Sequence, residues 1–152
     1  MRSPSAGNST NSSQNTIRLV IDANILFAAL IKNNKTSELL FSNHLQLYAP
    51  ATLFEEYQKY EQLIREKTSM TAQEFNNLLD AYKQRITIID EQTIKQHLPA
   101  ARAISPDPND ATYFAAAKAI RASIWSNDKK LQEQQHTTIT TTTELIKKLQ
   151  KN

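Results

Sequence analysis

Apolar and polar positions follow one another along the chain in blocks that predict five short strands separated by helices. Short runs rich in apolar or β-branched residues are typical of strands. They occur as IRLVI (17–21), LQLYA (45–49), ITIID (86–90), SIWS (123–126) and TTIT (137–140). Because helical segments separate these runs, the pattern predicts an α/β fold with a parallel sheet, covered by helices on both faces through right-handed crossovers.

The segments between the strands have apolar residues at helical spacing. Two helices are predicted to begin with a capping box, in which a threonine and a glutamate three residues later bond to each other's backbone: Thr71 with Glu74, and Thr141 with Glu144. Pro99 is expected to start or break a segment within a helix that ends near residue 104. Helices are predicted over residues 24–32, 37–43, 53–67, 75–85, 111–121, 129–134 and 143–150, of which 75–85 and 143–150 are the two with capping boxes.

A single glycine, Gly7, stands in the sequence, within the Ser/Asn/Thr-rich segment 1–16. That segment has too little apolar surface to offset the entropy lost on ordering, so we predict a disordered tail there and one domain over residues 17–150. A domain without glycine has neither the glycine-rich loops that bind phosphates nor the nucleophile elbow of serine hydrolases. Nucleotide-binding proteins that use such loops and serine hydrolases with such an elbow are therefore excluded.

Composition restricts the other kinds of site. The 152 residues include no cysteine, and His44, His97 and His136 do not have the spacing of a zinc site. Since the sequence shows neither a long apolar run nor a secretory signal, we expect a cytoplasmic protein without a membrane segment. The net charge of +3 and the pI near 9.1 permit a polyanionic partner but do not require one.

Four aspartates stand where predicted strands and helices meet. Asp22 follows the first strand directly, inside the apolar run VIDANIL, and Asp128 lies just past the fourth strand. Asp107 and Asp110 precede the helix that leads into the fourth strand. Ligands of parallel sheets bind beyond the carboxyl ends of the strands, so we expect Asp22 and Asp128 to face the same functional edge.

A glutamate is the remaining candidate. The helix over residues 53–67 is predicted to bury a stripe formed by Leu53, Tyr57, Tyr60 and Ile64. At about 100° per residue, Glu56 falls on that stripe and Glu55 points nearly opposite. We therefore expect Glu56 to face inward and Glu55 to face water.

Each acid also has a purely structural explanation, which the sequence leaves open. Asp22, Asp107 and Asp128 suit the N-caps of the helices that follow them, and a lone Glu56 can reach solvent at the boundary of its helix. Four carboxylates that converge, however, repel one another unless a divalent cation neutralises them. Since neither histidine nor cysteine joins this set, it suits the hard cations Mg²⁺ and Mn²⁺.

Four stretches of the sequence resemble motifs of PIN-domain ribonucleases, the family that includes the VapC-like toxins of toxin–antitoxin pairs. VIDANIL resembles the opening strand with its Asp-x-Asn turn, and PATLFEEYQKY resembles the helix that contributes a glutamate. DPNDATYFAAAKA is similar to the segment of the third acid, and IWSNDKKL to the closing strand with its [ST]-x-Asp turn. The resemblance covers about residues 18–149. One departure is RAS (121–123), where the family usually has glycine or another small residue.

The resemblance implies a Rossmann-like sheet in the order 3-2-1-4-5 and metal-dependent cleavage of RNA. It implies that Asn24 and Ser126 orient ligands or the scissile phosphate, whereas Lys129 and Lys130 are either contacts for the RNA backbone or a solvated basic pair. An antitoxin partner and a homodimer are left open. The ligands of Mg²⁺ or Mn²⁺ are expected to be Asp22, Glu56, Asp110 and Asp128, with Asp107 as an accessory.

Two other functions remain as alternatives. Asp22 at a strand end also suits a phosphoryl-accepting aspartate, as in receiver domains and haloacid-dehalogenase-like phosphatases. DAN lacks the second aspartate of such phosphatases, and Lys118 lies in mid-helix rather than after a strand. The other alternative is a catalytically silent module that binds RNA or protein, although concentrated negative charge does not help a surface to bind RNA.

Overall fold

The structure, a computed structural model, describes residues 16–32 and 35–150. The predicted disordered tail, residues 1–16, lies outside the described residues except for Thr16. The strands of the described part are β1 (Ile17–Ile21), β2 (Leu45–Ala49), β3 (Ile86–Ile88), β4 (Ser123–Trp125) and β5 (Ile139–Thr140).

Helices separate the strands as the sequence predicts. One short 3₁₀ turn lies at Pro108–Asp110, and another follows β4 at Lys129–Glu133. The two predicted capping boxes are present: Thr71 Oγ1 accepts from the Glu74 amide at 3.1 Å, and Thr141 Oγ1 from the Glu144 amide at 3.2 Å. The helices are α1 (Ala23–Lys32), α2 (Lys35–Leu40), α3 (Thr52–Lys67), α4 (Ala72–Arg85), α5 (Glu91–Lys95), α6 (Leu98–Ile104), α7 (Ala111–Ile120) and α8 (Thr142–Gln150).

All pairs of neighbouring strands are parallel, and the sheet has the order β3-β2-β1-β4-β5. The central strand β1 places Val20 between Tyr48 of β2 and Ile124 of β4. The chain adds β2 and β3 on one side of β1, and β4 and β5 on the other side. Ligands of such folds bind at this switch point between β1 and β4. The predicted fold class and strand order are therefore confirmed.

Side chains of each strand alternate between two hydrophobic cores, one on each face of the sheet. Leu19 and Ile21 face the core formed with α1, α3, α4 and α8, whereas Val20 and Ile124 face the core formed with α7. Trp125 belongs to the first core, is fully buried, and donates its indole N–H to Thr142 Oγ1 at 3.0 Å. This bond joins the end of β4 to the first turn of α8.

Several predicted boundaries are wrong by a few residues. The second helix covers 35–40 instead of 37–43, and β3 ends at Ile88 because Asp90 is already the N-cap of α5. The segment predicted as a short helix over 129–134 is a 3₁₀ turn, and Pro99 stands in the first turn of α6. No helix within the described ranges is both long and apolar enough to cross a membrane.

Candidate active site

Asp22 is the most buried of the candidate acids, with 6% of its surface exposed. It stands between the end of β1 and the start of α1, where its amide donates to the Trp125 carbonyl at 3.3 Å. Its carboxylate atom Oδ1 accepts the Ile25 amide at 3.1 Å, as an N-cap does. The capping explanation for this residue is thus correct, and it accounts for one carboxylate oxygen.

Ser126 connects Asp22 to Asp128. Its side chain is completely buried at the end of β4 and hydrogen-bonds to the Asp22 carboxylate. The same hydroxyl oxygen accepts the Asp128 amide at 3.0 Å, and Asp128 Oδ1 in turn accepts the Lys130 amide at 2.9 Å. The carboxyl ends of β1 and β4 are therefore joined through one serine, and Asp128 caps the 3₁₀ turn that follows.

Asp107 and Asp110 occupy the turn before α7. Asp107 Oδ1 accepts the Asn109 amide at 2.9 Å, so this residue caps the 3₁₀ turn in which Pro108 is the first residue. Asp110 is the N-cap of α7 by position, but its side chain makes no capping bond. The carboxylate of Asp110 is therefore not engaged by the helix that it precedes.

The register predicted for α3 is correct for the two glutamates. Glu55 is exposed, whereas Glu56 is partly buried and its Oε1 accepts the Tyr113 hydroxyl of α7 at 3.0 Å. The predicted stripe is wrong at Tyr60, which is 48% exposed, although Leu53, Tyr57 and Ile64 are buried. The ring of Tyr60 makes an edge-to-face contact with Phe27 of α1, with 5.8 Å between the ring centroids.

The acids act on one another electrostatically. Burial is the main reason why the pKa of Asp22 is raised to about 6, and the nearby charges of Asp128 and Asp110 also raise it. Hydrogen bonds from Ser126 and Ile25 act in the opposite direction and lower this pKa. Burial also raises the pKa of Asp110 to about 6, with further contributions from Asp107, Asp128 and Glu56. The five candidate acids thus form one electrostatic group at the carboxyl edge of the sheet.

The donor chemistry of this group fits a hard divalent cation, because all its candidate ligands are carboxylate oxygens. In the part of the chain that the structure describes, however, no three acidic or histidine side chains are arranged as a ready metal site. The capping bonds of Asp22, Asp107 and Asp128 all engage Oδ1. Asp107 and Asp128 can therefore keep their caps and offer Oδ2 to a cation, whereas the carboxylate of Asp22 also holds the bond to Ser126.

The surroundings of the acids are polar and open. A cavity of about 350 Å³ is lined by Glu56 and Asp110 together with Lys59 and Asn109. Asn24 is exposed and lies in a neighbouring groove that it shares with Glu56. The structure thus brings the predicted Asn24 to the site's margin and Ser126 to its centre.

Tyr113 is a site residue that the sequence analysis did not identify. It is 3% exposed, and its hydroxyl donates a hydrogen bond to Glu56. The pKa of its phenol is raised mainly by burial and also by the negative charge of Glu56. The available signal was its position three residues after Asp110, which places both side chains on the same side of a helix. Tyr113 fixes the glutamate that comes from a distant helix.

The raised pKa values predict how the stability of the metal-free protein depends on pH. A carboxyl group with a higher pKa in the folded chain binds protons more tightly there, so folding is favoured below its unfolded pKa. For Asp22 and Asp110 that contribution is lost as the pH rises from their ordinary value of 3.8 to about 6. Above this range both carboxylates are charged and oppose folding.

Asp22→Asn should therefore raise the melting temperature at neutral pH in the presence of a chelator, because it replaces a buried charge by a neutral group of the same shape. Below the ordinary pKa of aspartate, the variant and the wild type should melt alike. Thermal unfolding followed by circular dichroism across the pH range measures both effects. A lower melting temperature of the variant at neutral pH would contradict the prediction.

Comparisons with known proteins agree with this description. The PIN domain family matches residues 20–149. A chain in the crystal structure of VapBC2 from Rickettsia felis, bound to a DNA fragment from their promoter, superposes with a TM-score of 0.64 and 16% sequence identity. The superposition covers 82% of this chain and 98% of that chain, and at this identity it concerns the fold alone. The comparison with curated proteins finds no match.

The family match confirms the resemblance inferred from the four sequence motifs. PIN domains are generally nucleases, and they generally use divalent metal ions. With the matching fold and a family match over residues 20–149, this chain belongs to the PIN-domain family.

Proposed function

We propose that this PIN domain is an endoribonuclease that depends on Mg²⁺ or Mn²⁺. The observation that carries the proposal is the burial of Asp22 beside the charges of Asp128 and Asp110, which together raise its pKa to about 6. A buried carboxylate among like charges is unfavourable unless a cation or a proton offsets it. Groups of this kind are concentrated at functional sites.

In this proposal the acids at the carboxyl edge hold the cation. Ser126 fixes the orientation of Asp22, and Tyr113 fixes that of Glu56, so that both carboxylates are positioned before substrate arrives. When bound, Mg²⁺ or Mn²⁺ supplies Lewis-acid chemistry, which lowers the pKa of water and offsets charge on a phosphodiester. The proposed ligands are Asp22, Glu56, Asp110 and Asp128, with Asp107 available to a second ion.

Cations at the margin of the site support a nucleic-acid substrate. Lys59 lines the same cavity as Glu56. The positive charge of Lys130 lowers the pKa of Asp110 and so opposes the effects of burial and of the neighbouring acids. Such side chains contact phosphates in nucleic-acid complexes. A phosphoryl-accepting role for Asp22 is less well supported, since DAN lacks the second aspartate of such phosphatases and Lys118 lies within α7 rather than after a strand.

The experiment that tests the function combines cleavage with metal binding. Purified protein should cleave mixed RNA in Mn²⁺ or Mg²⁺ and not in EDTA. The same ions should raise the melting temperature of the wild type, because a ligand of the folded state alone stabilises it by mass action. Asp22→Asn/Asp128→Asn should lose both the cleavage and the thermal response.

A charge-matched control separates the site from general electrostatics. Glu66→Gln/Glu133→Gln removes two negative charges from exposed positions and should retain both responses. If the two double variants respond alike to metal, or if the wild type gives neither cleavage nor a thermal shift at millimolar metal, the proposed site is wrong.

A protein partner is the second part of the proposal, and an antitoxin is the kind that we favour. The structural neighbour is described as VapBC2, bound to promoter DNA. Here, Tyr60 and Leu63 are 48% and 49% exposed, and with Phe27 they line a groove of about 280 Å³ that reaches Glu56. A partner that filled this groove would bury apolar surface and cover the acids. Like the RNA substrate, it is consistent with the cytoplasmic location expected from the sequence.

A further inference from the structure

A second cavity opens at the opposite, amino edge of the sheet. It has a volume of about 530 Å³, against about 350 Å³ for the cavity beside Glu56 and Asp110. Residues of α6, the second half of α7 and the segments that enter β4 and β5 surround it. We call it the amino-edge cleft, and its volume lies within the range of about 300–1,000 Å³ that is usual for small-molecule sites.

The amino-edge cleft combines an apolar floor with a rim of hydrogen-bond donors. Lys118, Arg121 and His136 are exposed on the rim, and among the described residues that line the cleft none is acidic. No ion pair joins Lys118 or Arg121 to a carboxylate within the described ranges. The floor is formed by Ala101, Ile104, Phe114 and Ala117, and hydroxyl groups are contributed by Ser123, Thr137 and Thr138.

Arg121 occupies an unfavourable backbone conformation at this rim. Its φ of 55° and ψ of 50° lie in the left-handed region, where it ends α7 and is the one residue of the described chain with positive φ. Glycine is the usual residue at such a helix end, because a Cβ atom is strained there. Strain of this kind is concentrated at functional sites, so a role for the arginine side chain is indicated.

Hydrogen bonds offset part of the negative charge at the end of α7. A helix C-terminus carries partial negative charge on its last carbonyl groups, which disfavours anions nearby. Here the Ala117 carbonyl accepts the Ala122 amide at 2.9 Å, and the Ile120 carbonyl accepts Arg18 Nη1 at 2.9 Å. These bonds occupy two of the carbonyl groups near the helix end, and the guanidinium of Arg18 adds positive charge to the same edge.

We propose that the amino-edge cleft binds an organic phosphate monoester, such as a nucleoside monophosphate. Arg121 and Lys118 contact the phosphate oxygens, for which a guanidinium and an ammonium are suitable donors. The apolar floor accommodates the organic part of the ligand, and the hydroxyl groups bond to its polar atoms. This site does not depend on the proposed nuclease activity, since it lies at the edge of the sheet away from the acids.

Isothermal titration calorimetry in EDTA tests the proposal with AMP and UMP, inorganic phosphate and adenosine as probes. We expect saturable binding of at least one monophosphate, and about tenfold weaker binding of inorganic phosphate and of adenosine, because each offers half of the contacts. Asp22→Asn/Asp128→Asn should bind the monophosphate like the wild type.

Arg121→Gly distinguishes a ligand contact from a structural role. It should weaken monophosphate binding about tenfold while the melting temperature stays the same or rises, because glycine adopts the left-handed conformation without strain. Lys147→Ala, which removes one exposed positive charge from α8, should bind like the wild type. The proposal is overturned if neither monophosphate binds, if Arg121→Gly binds normally, if Lys147→Ala weakens binding equally, or if only an RNA oligonucleotide binds.

Discussion

Glu56→Gln should reduce RNA cleavage by orders of magnitude, whereas Glu55→Gln should leave it nearly unchanged. Glu56 is partly buried, is held by Tyr113 at 3.0 Å, and contributes to the raised pKa of Asp110, so its charge is part of the acidic group. Glu55 is exposed at the preceding position of α3. The two variants make the same chemical change one residue apart, and initial cleavage rates in Mn²⁺ compare them directly.

The stability of the same variants distinguishes loss of a ligand from loss of structure. Glu56→Gln keeps a carbonyl oxygen for the Tyr113 hydroxyl and removes one charge from a repelling group, so its metal-free melting temperature should be unchanged or higher. Glu55→Gln should change the free energy of unfolding by no more than about 0.5 kcal/mol.

If Glu55→Gln is instead the inactive variant, the register of α3 is wrong by one residue, and Glu55 replaces Glu56 as the proposed ligand. If neither variant loses activity, the glutamate ligand lies elsewhere. The structure offers little support for Glu61, which is bonded to Arg65 at 3.0 Å, or for Glu38, which pairs with Lys35 at 3.4 Å on the surface.

Tyr82→Ala should lower the free energy of unfolding by about 3–5 kcal/mol, the range for a large aromatic side chain removed from a core. Tyr82 of α4 is fully buried, its hydroxyl donates to the Ala29 carbonyl at 3.1 Å, and it also bonds to the Ser37 hydroxyl. Its ring contacts that of Phe41, with 5.3 Å between the centroids. One side chain thus joins α4 to α1 and α2.

Tyr82→Phe separates the hydroxyl from the ring. It should cost about 1–3 kcal/mol, because the buried polar groups of Ala29 and Ser37 each lose a partner. Tyr60→Ala, at a ring that is 48% exposed, is the matched control and should cost less than Tyr82→Ala. Urea denaturation followed by circular dichroism gives the three values, and equal costs for Tyr60→Ala and Tyr82→Ala would show that Tyr82 does not hold these helices together.

The fold was predictable because short apolar runs and helical periods alternate strictly along the chain. Strand order followed from the family resemblance, since periodicity does not say which strands are neighbours. The end of β3 was missed because Ile89 is buried like a strand residue, with its amide bonded to the Ala49 carbonyl at 2.9 Å, although Asp90 already caps a helix. A buried apolar residue therefore does not by itself extend a strand.

The candidate site was predictable where topology fixes it. Asp22 and Asp128 follow adjacent parallel strands, so the sequence order alone brings them to one edge. The contact of Tyr113 with Glu56 depends on how α7 packs beside α3, and a helical period does not contain that information. For the same reason the helical period placed Tyr60 on the buried stripe of α3, whereas its side chain is 48% exposed, because the period does not say whether a neighbouring element covers a residue. The metal and catalytic roles of the acids stay predictions.

Trp125 gives the protein a natural optical reporter. It is the single tryptophan of the sequence, it is fully buried, and it directly precedes Ser126, whose hydroxyl bonds to Asp22. An indole in such a dry environment emits fluorescence at shorter wavelengths than one in water, so global unfolding should shift the emission to the red. Because the fluorophore is adjacent to the serine that orients the proposed ligand Asp22, a change in its intensity on adding Mn²⁺ would follow events at that site in the unlabelled protein.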